Sequence, residues 1–143
     1  MLSKMCQTAI KAVIFLYSQK DEQHYIGIRK IAAAIDCSEH TVGKLLQLLV
    51  KNKIIGSIKG PSGGFFITPK QGQLPVITIV EAIDGREKFT ECGLGLAKCS
   101  KDHPCPIHFQ YGPIREELEK IFRERKVADL CQTVDKGESY LAG

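Results

Sequence analysis

Apolar residues recur along the first fifty or so positions in steps of three and four, the period of helices that bury one face. Residues 5–18 carry Ala9, Ile10, Val13, Ile14, Leu16 and Tyr17 at that spacing, which predicts an N-terminal core helix. Asp21-Glu22-Gln23-His24 is polar and reads as a loop. Residues 28–35 then place Ile28, Ile31, Ala32 and Ile35 on one side of a second, short helix. Asp36-Cys37-Ser38 interrupts it, and Ser38 suits the N-cap of a third helix over 39–52. In that helix Val42, Leu45, Leu46, Leu49 and Val50 face inward, leaving His40, Thr41, Lys44, Gln47 and Lys51 outside. Two helices joined by about three residues are a helix-turn-helix.

The period then changes. Ile54-Ile55-Gly56-Ser57-Ile58 reads as a strand, Lys59-Gly60-Pro61-Ser62-Gly63-Gly64 as a turn, and Phe65-Phe66-Ile67-Thr68 as the returning strand, stopped by Pro69. A β-hairpin directly after the second helix of a helix-turn-helix is a wing. Gly63 and Gly64 permit positive φ and let backbone approach a phosphate with no Cβ between. Val76, Ile77, Ile79, Val80, Ala82 and Ile83 predict another helix, ended by Gly85. Residues 86–109 show no period and read as a loop of about twenty residues, a length usually kept for function. From Pro113, the positions Ile114, Leu118, Ile121 and Phe122 return at helical spacing, predicting a terminal helix over 113–126. That stripe either packs on the body or forms a dimer seam, as two DNA half-sites require. The predicted fold is mainly α with a small β wing. It comprises a winged helix-turn-helix domain over 1–70, a short helix and cysteine-bearing sensor loop over 71–112, and a dimerisation helix and tail over 113–143.

Composition narrows the function. Of 143 residues, 43% are hydrophobic and 25% charged, ordinary globular proportions. The longest apolar run, from Ala12 to Tyr17, is six residues, far short of a membrane span. The first residues lack a signal-peptide pattern, so a cytoplasmic protein with no membrane partner is expected. Charge is uneven: residues 1–70 hold ten Lys/Arg against four Asp/Glu, and residues 71–143 hold ten against twelve. The balances of +6 and −2 sum to the formal +4, so the first half alone is suited to an anionic partner.

Duplex DNA is the partner this pattern implies. Ser38, His40, Thr41 and Lys44 occupy the end of the recognition helix that reads base edges in the major groove. Arg29 and Lys30 begin the preceding helix, placed for phosphate, and Lys59, Gly60, Pro61, Gly63 and Gly64 form the wing. A second constellation lies in the loop. Cys92, Cys99 and Cys105 are separated by six and five residues, and His108 follows three positions after the last. Structural zinc ligands usually pair at two to four residues, whereas iron–sulfur clusters take thiolates, some replaceable by histidine, from a wider spread. Free thiols, a disulfide switch or zinc are the other readings of the triad. Cys6, Cys37 and Cys131 lie beside predicted helices and read as small buried hydrophobes. The chain has no Cys-x-x-Cys pair, no phosphate-binding Gly-Lys-Ser/Thr loop and no Ser/His/Asp set, so neither an enzyme nor a small-molecule substrate is expected.

Lys59-Gly60-Pro61-Ser62-Gly63-Gly64-Phe65, Val80-Glu81-Ala82-Ile83-Asp84-Gly85, the spaced cysteines, Pro106-Ile107-His108 and Val127-Ala128-Asp129-Leu130 together resemble the Rrf2 family of bacterial transcription regulators, in its iron–sulfur-binding branch. The resemblance runs from the start of the chain to about Leu130. It implies a homodimer whose winged helices bind a pseudo-palindromic operator, joined through the helix near 113–126. It also implies a cluster, 2Fe–2S in preference to 4Fe–4S, on Cys92, Cys99, Cys105 and His108, linking redox state, nitric oxide or cluster supply to transcription. The chain departs from that pattern in three places. The first cysteine gap is one residue longer, Gly43 replaces a recognition-helix glutamate, and Gln7 stands where some members carry an acidic ligand, with Cys6 beside it as a substitute.

Overall fold

The computed structural model describes residues 1–21 and 25–143. Glu22, Gln23 and His24, most of the expected polar loop, lie outside the described residues. Ser3 caps the first helix, α1 (Lys4–Ser18), by accepting from the Cys6 amide at 3.1 Å. Helix α2 (Ile28–Ala34) follows. Asp36, at φ 52°, then turns the chain sharply, a left-handed conformation that aspartate tolerates better than most residues. Helix α3 (Glu39–Lys51) starts on Ser38, whose Oγ accepts from the Thr41 amide at 3.2 Å. The helix-turn-helix lies where the sequence pattern puts it.

Strands β1 (Gly56–Ile58) and β2 (Gly64–Phe66) pair antiparallel, with Gly56 opposite Phe66 and Ile58 opposite Gly64. The hairpin is shorter than the predicted strands, and a further segment extends it. Ile26 exchanges both backbone hydrogen bonds with Phe65, at 2.9 Å each, so the stretch before α2 lies along the wing. The wing glycines serve two different purposes. Gly60 and Gly64 have positive φ, but Gly63 does not: it is glycine because a Cβ there would sit 2.0 Å from the Ile58 carbonyl oxygen. The turn is closed by the Gly63 amide donating to the Gly60 carbonyl at 3.0 Å.

A one-turn helix, α4 (Pro69–Gly72), begins on a Thr68–Gln71 capping box and leads to α5 (Ile77–Asp84), stopped at Gly85 with φ 92°. A 3₁₀ turn over Arg86–Phe89 enters the cysteine loop. Helix α6 (His108–Glu124) starts at His108, not Pro113, so the proline sits inside it and removes one backbone donor. The C-terminal region is not a tail. Arg125 is extended, and α7 (Val127–Asp135) folds back onto α1. The Val76 amide donates to the Arg125 carbonyl at 2.8 Å and the Val127 amide to that of Leu74 at 3.1 Å, tying the starts of α5 and α7 together.

Two apolar cores result. The larger joins α1, α2, α3 and the wing with Ile79 of α5 and Val127 of α7. The smaller gathers Cys6, Ile77, Val80 and Phe89, with Leu118 and Phe122 of α6 against it. Gly63→Ala should destabilise the protein by about 1–3 kcal/mol through the clash with Ile58, as overpacking does. Gly27→Ala, where nothing lies within 4 Å of the added methyl, should leave stability nearly unchanged. Urea unfolding of both variants checks the difference.

Candidate DNA-binding face and cysteine site

The basic residues named from the sequence lie on the outer side of the helix-turn-helix and wing. Arg29, Lys30, His40, Lys44, Lys59, Gly60 and Pro61 are exposed, Ser38 is exposed, and Thr41, Gly63 and Gly64 are half-buried. His40, Lys44, Gln47 and Lys51 follow one another on the exposed face of α3. Two candidates are engaged locally: the Ser38 hydroxyl donates to Thr41 Oγ1 at 2.9 Å while capping the helix. Arg29 Nε sits 3.5 Å from Glu39, an acidic neighbour that the charge count does not single out. Gly43 is half-buried, and a Cβ there would meet only Ile28 Cδ1 at 3.7 Å, so a side chain would fit.

Of the four loop donors, Cys99 and His108 come into contact. Cys99 Sγ lies 3.4 Å from His108 Nδ1, because the first residue of α6 turns its ring back over the loop. Cys105 is near enough to Cys92 to influence its thiol. Backbone amides of Leu94 and Leu96 point at the Cys92 sulfur and hold its pKa below the ordinary thiol value, with Cys105 adding to the effect. No group of three or more His, Cys, Asp or Glu side chains converges on one point among the described residues. A single tetrahedral ion needs such convergence. Three thiols and an imidazole on one segment are a donor set whose chemistry fits an iron–sulfur cluster, whose ligands bind different metal atoms.

The sequence reading missed the side chains that support this loop. Arg115 Nη1 donates to the Glu91 carbonyl at 2.6 Å and lies 3.5 Å from Cys99 Sγ. Gly93 passes close over Tyr111, whose ring atoms would lie 2.9–3.0 Å from any Cβ there. His108, Tyr111 and Arg115 recur at helical spacing, a signal hidden while α6 is taken to begin at Pro113.

The remaining cysteines are unlike these. Cys6 is fully buried in the smaller core, and burial, reinforced by Asp84, pushes its thiol up to about 12. Facing that core, it is poorly placed to substitute for Gln7, whose own amide donates to the Leu2 carbonyl at 3.1 Å. Burial and a hydrogen bond to Asp135 likewise push Cys131 up to about 12, whereas Cys37 is half-buried.

The α6 stripe divides between two surfaces. Leu118 and Phe122 pack on the chain's own smaller core, with the Phe122 and Phe89 rings 5.8 Å apart. Ile114 and Ile121 stand outside, 68% and 55% exposed, with Phe109 at 66%.

With fold and donor set in place, the comparisons are specific. The Rrf2 family, described as iron-dependent transcriptional regulators, matches residues 2–133. The chain belongs to the Rrf2 family. The HTH-type transcriptional regulator NsrR of Geobacillus kaustophilus is 24% identical over 132 residues, covering 92% of this chain and 89% of that protein. The structure of CymR, the global cysteine regulator of B. subtilis, superposes with a TM-score of 0.74 at 17% identity, covering 92% of this chain and 96% of that one. IscR of T. potens gives a TM-score of 0.71 at 16% identity, covering 97% and 91%. At these identities the solved structures establish the fold, a winged helix shared across Rrf2 regulators. The relatives are transcription regulators, not enzymes, and this Rrf2 chain is a DNA-binding transcription regulator. Among the described residues no helix is long and apolar enough to cross a membrane.

Thiol reactivity should separate the two classes of cysteine. Only the thiolate reacts, so thiols whose pKa is raised to about 12 stay protonated and inert near pH 8. Iodoacetamide should therefore modify Cys92 while leaving Cys6 and Cys131 intact in the folded, metal-free protein. Peptide mapping by mass spectrometry reads the order. Early modification of Cys6 would contradict it.

Proposed function

We propose that this regulator is a homodimer whose operator affinity is set by an iron–sulfur cluster held on Cys92, Cys99, Cys105 and His108. The observation that carries the reading is the Cys99–His108 contact at 3.4 Å: two of the four donors singled out by spacing meet across the loop, and the lowered thiol of Cys92, influenced by Cys105, lies on the same segment. The Rrf2 description as iron-dependent supports iron as the metal. Three thiolates and one imidazole favour 2Fe–2S over 4Fe–4S, since histidine ligation is familiar in clusters of the smaller type. When bound, the cluster supplies a redox- and ligand-sensitive centre. The chain's own part is to hold it, to admit the signal through an exposed loop, and to link its presence to the winged helices.

The DNA face follows from the same arrangement. His40, Thr41 and Lys44 read base edges, and Ser38 shapes the helix end that presents them. Arg29, Lys30 and Lys59 neutralise phosphates, while the backbone of Gly60, Pro61, Gly63 and Gly64 sets the reach of the wing. Ile114 and Ile121 meet their counterparts in a second copy, with Leu118 and Phe122 beneath them fixing α6 to each protomer. The regulator acts in the cytoplasm.

A second reading has one specific observation in its favour. Cys105 contributes to the lowered thiol of Cys92, and a structure of Staphylococcus aureus CymR in an oxidized form belongs to the same fold. A disulfide switch without iron would use that pair. Anaerobic purification separates the readings: a brown protein with stoichiometric iron and sulfide supports the cluster, and a colourless one the thiol switch.

Cys92→Ser, Cys99→Ser and Cys105→Ser should each abolish or severely weaken cluster retention and bind selected operators as the metal-free protein does. His108→Ala should be milder. Holo and metal-free dimers should differ by about 5- to 150-fold in operator affinity, the usual range of such coupling. Equal affinities at every selected site would remove the regulatory role. Lys59→Ala should reduce the log–log salt slope of binding by roughly two, one phosphate per subunit at about 0.9 each. Fluorescence anisotropy across a salt series measures it.

A further inference from the structure

Arg115 stands two turns along α6 from His108, on the side of the helix that meets the cysteine loop. Its Nη1 donates to the Glu91 carbonyl at 2.6 Å and also reaches Cys99 Sγ at 3.5 Å. Nε is shielded from solvent and has no partner among the described residues. The guanidinium carbon lies 6.0 Å from the centre of the Tyr111 ring, which in turn supports Gly93. One planar cation thus holds both ends of the segment from Glu91 to Cys99, and with them the longer of the two cysteine gaps.

This placement is demanding for a plain surface arginine. A shielded N–H without an acceptor is unfavourable unless neighbouring interactions offset it. A neutral thiol is a poor acceptor for the nearby Nη1, whereas a metal-bound thiolate is anionic and accepts a charge-assisted hydrogen bond. The fork geometry matters as well as the charge. A lysine ammonium is a point donor on a flexible stem and lacks the rigid fork that spans a carbonyl and a sulfur.

We propose that Arg115 is a positioning residue of the cysteine site. It fastens the Glu91–Cys99 segment to α6 and directs positive charge and an N–H···S hydrogen bond at the Cys99 sulfur. The inference rests on the cluster reading above and adds to it a residue outside the ligand set. Reduction makes a cluster more negative, and hydrogen bonds to its sulfurs and nearby charge tune its potential. Arg115 therefore raises the potential of a cluster bound here and slows its loss.

The test uses the full chain, reconstituted anaerobically with iron and sulfide, and the variants Arg115→Gln and Arg115→Lys. Arg115→Gln should lose iron to a chelator about 10- to 100-fold faster than wild type, the usual effect of removing an outer partner of metal ligands. Its midpoint potential should be more negative. Arg115→Lys should recover most of the potential, which follows charge, but not the retention, which follows the fork. In metal-free protein both variants should show faster hydrogen exchange across residues 91–99, with helical circular dichroism unchanged. If Arg115→Gln fails to fold, Arg115→Lys carries the retention and exchange measurements alone. Wild-type retention, potential and loop exchange in the variants would overturn the inference while leaving the cluster reading intact. A wild-type chain that takes up no iron would overturn the cluster reading and the inference with it. Iron uptake by wild type together with the split between retention and potential would support both.

Discussion

The burial of α1 is the constraint on which the rest of this structure depends. The helix contacts α2, α3 and β2 on the DNA-binding side, and α5 and α7 on the other. Ala9, Ala12 and Val13 have no exposed surface, and their small size lets neighbouring helices approach on more than one face. A helix buried so widely cannot shift alone. Displacing α5 disturbs the packing that also seats α3, so the recognition helix and the entrance to the cysteine loop share one rigid part. The start of α1 reinforces the link: the Ser3 amide and hydroxyl both donate to the Asp84 carboxylate, the amide at 2.9 Å, and Lys88 lies 3.8 Å from Asp84.

The cysteine loop has the opposite character. Beyond Phe89 it has no helix or strand until His108, and Leu94 and Leu96 are 53% and 52% exposed. Apart from the buried Cys92 and Cys105 and the half-buried Cys99, its order comes from a few contacts with one face of α6: Tyr111 beneath Gly93, Arg115 on Glu91 and Cys99, and His108 on Cys99. Segments with few buried apolar contacts occupy the low end of local stability. The loop is loosely held, yet it is anchored to α6 and, through Phe89, to the smaller core that contains Cys6 of α1.

The parts legible in the sequence were those with a strong period or distinct turn chemistry. Helices α1, α2, α3 and α5 were recognised within a few residues because each presents an apolar face and three of them carry a cap or glycine stop. The wing was legible from glycines between two apolar runs, although the steric reason for Gly63 depends on the Ile58 carbonyl across the turn. The start of α6 was misplaced because Pro113 resembles a first-turn proline, and residues 108–112 supply mostly polar or aromatic side chains without a buried stripe. Helix α7 escaped notice because Val127 and Cys131, one turn apart, are its only buried residues. Spacing singled out Cys92, Cys99, Cys105 and His108 as candidates. The Cys99–His108 contact was not legible, because it depends on where the first turn of α6 places His108.

The six cysteines show how one residue type acquires two chemistries in a single small protein. Cys6 and Cys131 are almost completely enclosed and lie near carboxylates, Asp84 and Asp135, which oppose a second negative charge and keep them as thiols. Cys92 receives backbone amides, surroundings that favour a thiolate, and Cys99 lies beside a guanidinium and an imidazole. Only thiolates bind metal or exchange disulfides readily. The fold therefore places the readily ionised Cys92 thiol on the segment attached to α6 and keeps Cys6 and Cys131 as buried thiols. Chemistry at the loop is thereby separated from the packing behind α3.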